Sequence, residues 1–161
     1  MKEIVIKTIK GERKIGGVNP AFIIAEMSGN HHLDYDKAVE IVKAAAKAGA
    51  DAIKLQTYTP NTMTIDCDNE YFKVGGKDQP ELWKGKNLHA LYKTAYTPWE
   101  WQPKLKKVAE DLGLAFFSTP FDPTAVDFLE NMGVTFYKIA SYEATDMILL
   151  RKVAQTGKPV I

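Results

Sequence analysis

The chain has 161 residues, 45% of them hydrophobic, with 21 Lys plus Arg against 20 Asp plus Glu and a formal charge of +1. That length and apolar content suffice for one domain with its own core. A charge so near balance gives no electrostatic case for a nucleic-acid partner or an anionic membrane surface, and the single cysteine, Cys67, excludes an internal disulfide and a Cys-cluster zinc site.

Met1 to Lys10 alternates charged and aliphatic residues and does not read as a signal peptide. No stretch approaches the roughly 18 apolar residues of a spanning helix, so a soluble cytoplasmic protein is expected. Residues 3 to 18 alternate about Lys10-Gly11, which predicts a β-hairpin within residues 1–19. After Pro20, Phe22 to Ala25 is a continuous apolar run, the mark of a strand buried on both faces. Asp34 caps a predicted helix over Tyr35 to Ala48, and Gly49 stops it.

The same order then recurs. Asp51 to Gln56 is a second strand. A long connection, Thr57 to Tyr96, follows, with one short helix expected at Leu88 to Ala95. Thr97-Pro98-Trp99-Glu100 reads as a capping box for a helix to Leu112. Leu114 to Phe117 is a third strand, Asp122-Pro123 starts a helix that Gly133 ends, and Val134 to Ile139 is a fourth strand. A further helix runs to Gln155, and Pro159 to Ile161 begins a fifth strand.

Strands alternating with helices predict a parallel α/β sheet with right-handed crossovers. A five-strand doubly wound sheet would be complete at this length, whereas a (β/α)8 barrel takes roughly 250 residues. A chain that stops two apolar residues into a strand favours part of a barrel.

Both architectures bind ligands beyond the C-terminal ends of the strands. There the first strand ends in Glu26, the second carries Lys54 and Gln56, and the third ends in Ser118-Thr119. The fourth carries Lys138 and is followed by Ser141 and Glu143. A lysine flanked by apolar residues in a buried strand needs an anionic partner. Two of them, with the Thr119 and Ser141 hydroxyls, describe a site for a small multiply charged anion such as a phosphate with a carboxylate. The structural alternative is internal salt bridges from Lys54 and Lys138 to Glu26 and Glu143. Glu26 is a candidate acid/base, and His31 a candidate substrate contact. His31 and His32 are adjacent and would point apart on a strand, so they make no local metal pair. Trp99 and Trp101 are expected to pack their helix, and Cys67 to be incidental.

The residues that carry a resemblance are Phe22 to His31 (FIIAEMSGNH), Ala50 to Thr62 (ADAIKLQTYTPNT), Thr64 to Phe72 (TIDCDNEYF), Tyr92 to Trp101 (YKTAYTPWEW), Ser118 to Phe121 (STPF) and Tyr137 to Ser141 (YKIAS). On these segments the chain resembles the sialic acid synthase family. The TIDC and AYTPWEW segments are closest to its pseudaminic branch. The resemblance implies an α/β fold: a partial (β/α)8 TIM barrel, strands 1 to 4 and the start of 5, over residues 20–161, preceded by the hairpin. The family condenses phosphoenolpyruvate with an open-chain amino sugar to a nine-carbon ulosonic acid and phosphate.

Carried over by position, Lys54, Thr119, Lys138 and Ser141 would bind phosphoenolpyruvate. Glu26, Gln56 and Glu143 would lie near the reacting carbons and the sugar hydroxyls, with Glu26 and Glu143 catalytic. The resemblance also implies a divalent metal, manganese or magnesium, whose histidine ligands lie on later strands outside this chain. A homodimer completed by a C-terminal antifreeze-like domain, absent here, is implied too. His32-Leu33 stands where the family often has Asn-Gly. The 161 residues alone are expected to be inactive. Alternatives are an N-acetylneuraminate or legionaminate synthase, an aldolase-type barrel lyase using Lys138 as a Schiff base, and a stand-alone flavodoxin-like binding domain.

Overall fold

The computed structural model describes residues 3–75 and 85–161. The first two residues of the expected hairpin segment and the middle of the long connection lie outside them. Strands β1 (Ile4–Thr8) and β2 (Gly11–Ile15) form the antiparallel hairpin, with Gly11 at φ +103, a conformation that suits only a residue without Cβ. β3 (Ile24–Glu26), β4 (Ala52–Thr57) and β5 (Ala115–Pro120) then pair in parallel in the order β3-β4-β5. The apolar run at Phe22 predicts a strand beginning two residues too early. Ile23 is exposed, and pairing starts at Ile24. The third strand continues past Phe117 through the polar Ser118 and Thr119, both buried.

The fourth stretch, Val134 to Ile139, does not form the regular strand its apolar pattern predicts. Only Tyr137 bridges its neighbours, to Ser118 on one side and Val160 on the other. The Lys138 amide donates to Ser118 O at 3.3 Å, and the Ile161 amide donates to Tyr137 O at 2.9 Å. The spatial order is therefore consecutive through all five stretches. A doubly wound flavodoxin-like sheet would set its first strand between the second and third, so the rival architecture fails. The molecule is an open arc of a (β/α)8 barrel, not a closed one.

Helices cover the outside of the arc. α1 (Tyr35–Lys47) starts where expected, its first turn closed by Asp34 accepting from the Lys37 amide at 3.1 Å. A single turn, α2 (Pro60–Met63), follows β4, and α3 (Leu88–Ala95) forms at the expected residues. The expected capping box at Thr97 is absent. A 3₁₀ turn, Trp99–Trp101, intervenes before α4 (Gln102–Asp111), with no side-chain cap. α5 (Pro123–Asn131) and α6 (Met147–Gln155) are capped by Asp122 and Asp146.

Ile53, Leu55, Phe116 and Tyr137 point outward into the layer filled by Val42, Leu105, Leu129 and Leu149. Each such fully buried side chain contributes roughly 1.5–3 kcal/mol. Trp101 packs against this core as its sequence position predicts. Alternate residues point inward. Ala52, Ala115, Phe117 and Phe136 form a floor closed from beneath by Ile6 and Ile15 of the hairpin and by Phe22 and Ile24. Among the described residues no helix is long and apolar enough to cross a membrane.

Candidate active site

Laterally paired residues of parallel strands share a face, and alternate residues of one strand share a face. Glu26 pairs with Lys54, Lys54 with Phe117, and Gln56 with Thr119. Phe117 and Phe136 stack inside the arc with ring centroids 4.0 Å apart, so Lys138, two residues beyond Phe136, belongs to the inner side as well. Directly above the apolar floor the inner face therefore carries Glu26, Lys54, Gln56, Thr119 and Lys138, at the C-terminal ends of the strands.

Lys54 is 7% exposed, and its Nζ lies 3.4 Å from Glu26 Oε1. The internal ion pair weighed as the structural alternative is thus present for Lys54, though the Glu26 side chain is 57% exposed. For Lys138 the structure differs from that alternative. Its Nζ donates to Ile139 O at 2.8 Å, and among the described residues it forms no ion pair with Glu143. Thr119 is 2% exposed, and its Oγ1 is buried with no hydrogen-bond partner among the described residues; Glu143 Oε2 is orphaned in the same way. A buried polar atom without a partner costs about 1–3 kcal/mol, so these two atoms are available to a ligand. Ser118, by contrast, turns outward, its Oγ 2.6 Å from Thr57 Oγ1, whose hydroxyl donates to Gln102 Oε1 at 2.9 Å.

Over this layer opens a cavity of about 920 Å³. Gln56 and Glu143 line it, with Ser28, Asn30 and His32 from the loop after β3 and with Leu91, Tyr92 and Ala95 from α3. Ser141 is exposed, just ahead of the turn Tyr142–Thr145. The aromatic wall was not visible from motif reading. Tyr58, 3% exposed, meets Tyr92 and Phe121 edge-on at 5.6 and 5.4 Å. Burial, and then the charges of Glu143 and Tyr142, push the Tyr92 phenol up. An aromatic two residues past a site strand was the available signal. Trp99 supports Tyr58 from behind, its indole donating to Tyr58 O at 3.0 Å.

His31 is placed differently from its expected role as a substrate contact. It is 0% exposed and does not line the cavity. The Leu33 amide donates to its Nδ1 at 3.1 Å, so Nε2 carries the proton and donates to Thr97 Oγ1 at 3.1 Å. Trp101 packs edge-on at 5.7 Å. His31 latches the loop and Thr97 serves the latch, which explains why Thr97 caps no helix. The loop it holds is costly. Ser28, His32 and Leu33 have φ of 50, 51 and 58, left-handed values that non-glycine residues adopt at a penalty.

Burial, then the neighbouring His32, hold the His31 imidazole below its ordinary 6.5. Well above pH 6.5 it is neutral in the folded and unfolded chain alike. As pH falls below 6.5 the unfolded chain takes up a proton that the folded chain refuses, so stability declines with acidification through that window. Urea midpoints between pH 7.5 and 5.5 should fall more steeply for the natural chain than for His31→Gln. Parallel slopes would remove His31 from the pH response.

Among the described residues no group of three or more His, Cys, Asp and Glu side chains comes together to hold a metal ion. The residues present therefore do not fit, by themselves, the divalent ion that the resemblance implies.

The chain is 43% identical over 151 residues to the pseudaminic acid synthase of Campylobacter jejuni serotype O:2, covering 92% of this chain and 43% of that protein. It is 42% identical over 144 residues to the pseudaminic acid synthase of Helicobacter pylori, covering 89% and 41%. Less than half the length of these relatives is thus spanned. In backbone it is similar to an N-acetylneuraminic acid (sialic acid) synthetase from Leptospira borgpetersenii, with a TM-score of 0.79, 31% identity, and coverage of 99% of this chain and 48% of that one. The NeuB family model matches residues 41–161, which include every strand-end residue of the inner layer but Glu26. Sequence and backbone course agree on one assignment: the chain belongs to the NeuB family.

Proposed function

We propose that this chain is the phosphoenolpyruvate-binding part of a pseudaminic acid synthase, which joins phosphoenolpyruvate to an open-chain 2,4-diacetamido-2,4,6-trideoxy hexose. The observation that carries the reading is the inner layer of Lys54, Thr119 and Lys138, in which the buried Thr119 hydroxyl has no partner among the described residues and Lys54 is shielded from water. Two ammonium groups and a free hydroxyl suit a ligand that bears a phosphate and a carboxylate on three carbons. The likeness to the Campylobacter and Helicobacter synthases supports the sugar class.

In the reaction, phosphoenolpyruvate C3 attacks the sugar aldehyde carbon, a carbon–carbon bond forms, and the aldehyde oxygen takes a proton. Positive charge develops at C2, where water adds and gives up a proton. The C2–O bond to phosphate then breaks, leaving the 2-keto acid and inorganic phosphate. Lys54, Lys138 and Thr119 would hold the phosphate and carboxylate, with Ser141 closing over them. The Glu26 and Glu143 carboxylates would stabilise the charge at C2 or receive the water's proton, and Gln56 would face the sugar hydroxyls.

Calorimetric titration with phosphoenolpyruvate is expected to show saturable binding, weakened roughly tenfold in Thr119→Val by loss of one hydrogen bond to a charged group. Phosphate release by the 161 residues with manganese and the sugar should be nil. Absence of phosphoenolpyruvate binding would discard the reading, and turnover would discard the inactivity of this part alone.

A further inference from the structure

Helix α3 has no part in the inner layer of Lys54, Thr119 and Lys138, yet four of its residues line the cavity above that layer. Leu91 and Ala95, four residues apart and so on one helix face, line it with Met63 from the end of α2. Polar side chains line the rest of it, Ser28, Asn30, Gln56 and Glu143 together with Tyr92 and Thr94 of α3, the Thr94 hydroxyl donating to Leu91 O at 2.8 Å. Leu91, Ala95 and Met63 thus form an apolar patch in a cavity whose other lining side chains are mostly polar or aromatic.

The apolar patch is built to stay where it is. Asn87 caps α3, accepting from the Ala90 amide at 2.7 Å, and its Nδ2 donates to Asp68 Oδ1 at 2.8 Å. His89, 4% exposed, has Nε2 at 2.8 Å from Asn61 Oδ1 and Nδ1 at 3.3 Å from Asp66 Oδ2. These contacts tie α3 to the turn before it and to the 64–69 stretch. At its C-terminal end the helix touches the loop after β3. A Cβ added at Gly29 would come within 2.9 Å of Ala95 O and 3.2 Å of Ala95 Cα, so only glycine permits this approach. Anchored at both ends, α3 meets a ligand as a fixed surface.

We propose that α3 with Met63 is the specificity wall of the acceptor site, selecting a sugar that turns a methyl group toward Leu91, Ala95 and Met63 over one that presents a hydroxymethyl there. The proposal rests on the synthase reading and adds to it the element that reads the sugar and the chemistry it reads. A hydroxyl set against Leu91, Ala95 and Met63 finds no hydrogen-bonding group in those three side chains and must shed water to enter. Because an apolar surface rejects an added hydroxyl only weakly, the preference should be about 10- to 100-fold.

A matched pair of sugars tests this. N-acetylmannosamine and its 6-deoxy analogue differ only in that hydroxyl, and their affinities for the 161-residue chain can be compared by ligand-observed NMR titration with phosphoenolpyruvate present. The 6-deoxy sugar should bind more tightly by the factor above, with its methyl protons showing the strongest saturation transfer. Met63→Gln, of similar volume, and Leu91→Asn should each bring the two affinities within about threefold while phosphoenolpyruvate affinity holds. Equal affinities in the natural chain, a preference that survives both substitutions, or no sugar binding while phosphoenolpyruvate binds would each overturn the proposal. Should phosphoenolpyruvate itself not bind, it is the synthase reading that fails.

Discussion

Lys54→Met is expected to lower phosphoenolpyruvate affinity by roughly 30- to 1000-fold while leaving the fold intact. The range follows from losing one shielded, charge-assisted contact to a dianionic group, about 2–4 kcal/mol, at 1.4 kcal/mol per factor of ten. The two effects separate because the ion pair is lopsided. The Lys54 side chain is 8% exposed and that of Glu26 57%, so a Glu26 left alone at 3.4 Å stays hydrated. Methionine keeps the apolar stem against the floor and removes only the charge. Calorimetric titration measures the affinity and urea unfolding the stability. Unchanged affinity would remove the anion from this layer, and a large stability loss would mean that the pair with Glu26 is the role of Lys54.

Phe117→Ala should produce the largest stability loss of any single change in the inner floor. Its ring is 0% exposed, lies against Phe136 at 4.0 Å, and pairs laterally with Lys54. Truncation removes about 3–5 kcal/mol by lost burial and the cavity left behind. That is a large share of the 5–15 kcal/mol typical of a whole domain. At roughly 2–4 °C per kcal/mol for a chain of this size, the thermal midpoint should drop by about 10 °C. A drop below about 2 °C would show that hairpin and floor can close the gap by collapse. Anion binding should suffer with stability, since Lys54 rests on that ring.

The parts of the fold that could be read from sequence are those where one physical signal acts alone. Asp34 and Asp122 sit ahead of amphipathic runs and do cap them, because a short carboxylate reaches free amides wherever the next turn is helical. The inner lysine Lys54 was legible because an ammonium between Ile53 and Leu55 has few explanations in a buried strand. Errors arose where a residue had two possible uses. Thr97 has the spacing of a capping box, but its hydroxyl is taken by His31, a partner distant in sequence. His31 looked like a ligand contact because a histidine in a polar loop usually meets solvent; its burial under Trp101 depends on tertiary packing. Val134 to Ile139 has the composition of a strand, yet regular pairing is limited to Tyr137, held from outside by Glu130, which also accepts from Lys158 at 2.5 Å. The α3 wall left no motif, since Leu91, Ala95 and Met63 become a surface only when α2 and α3 fold back over the strand ends.

The left-handed residues of the loop after β3 carry a further consequence. A segment that adopts three disfavoured backbone conformations within six positions does not hold that shape by its own preferences. Its geometry is borrowed from Thr97 and Trp101, which hold the His31 imidazole, and from the helix that Gly29 lets come close. An excised peptide of residues 27–34 would therefore relax to other conformations. The same eight residues grafted onto another scaffold would need both supports transplanted with them.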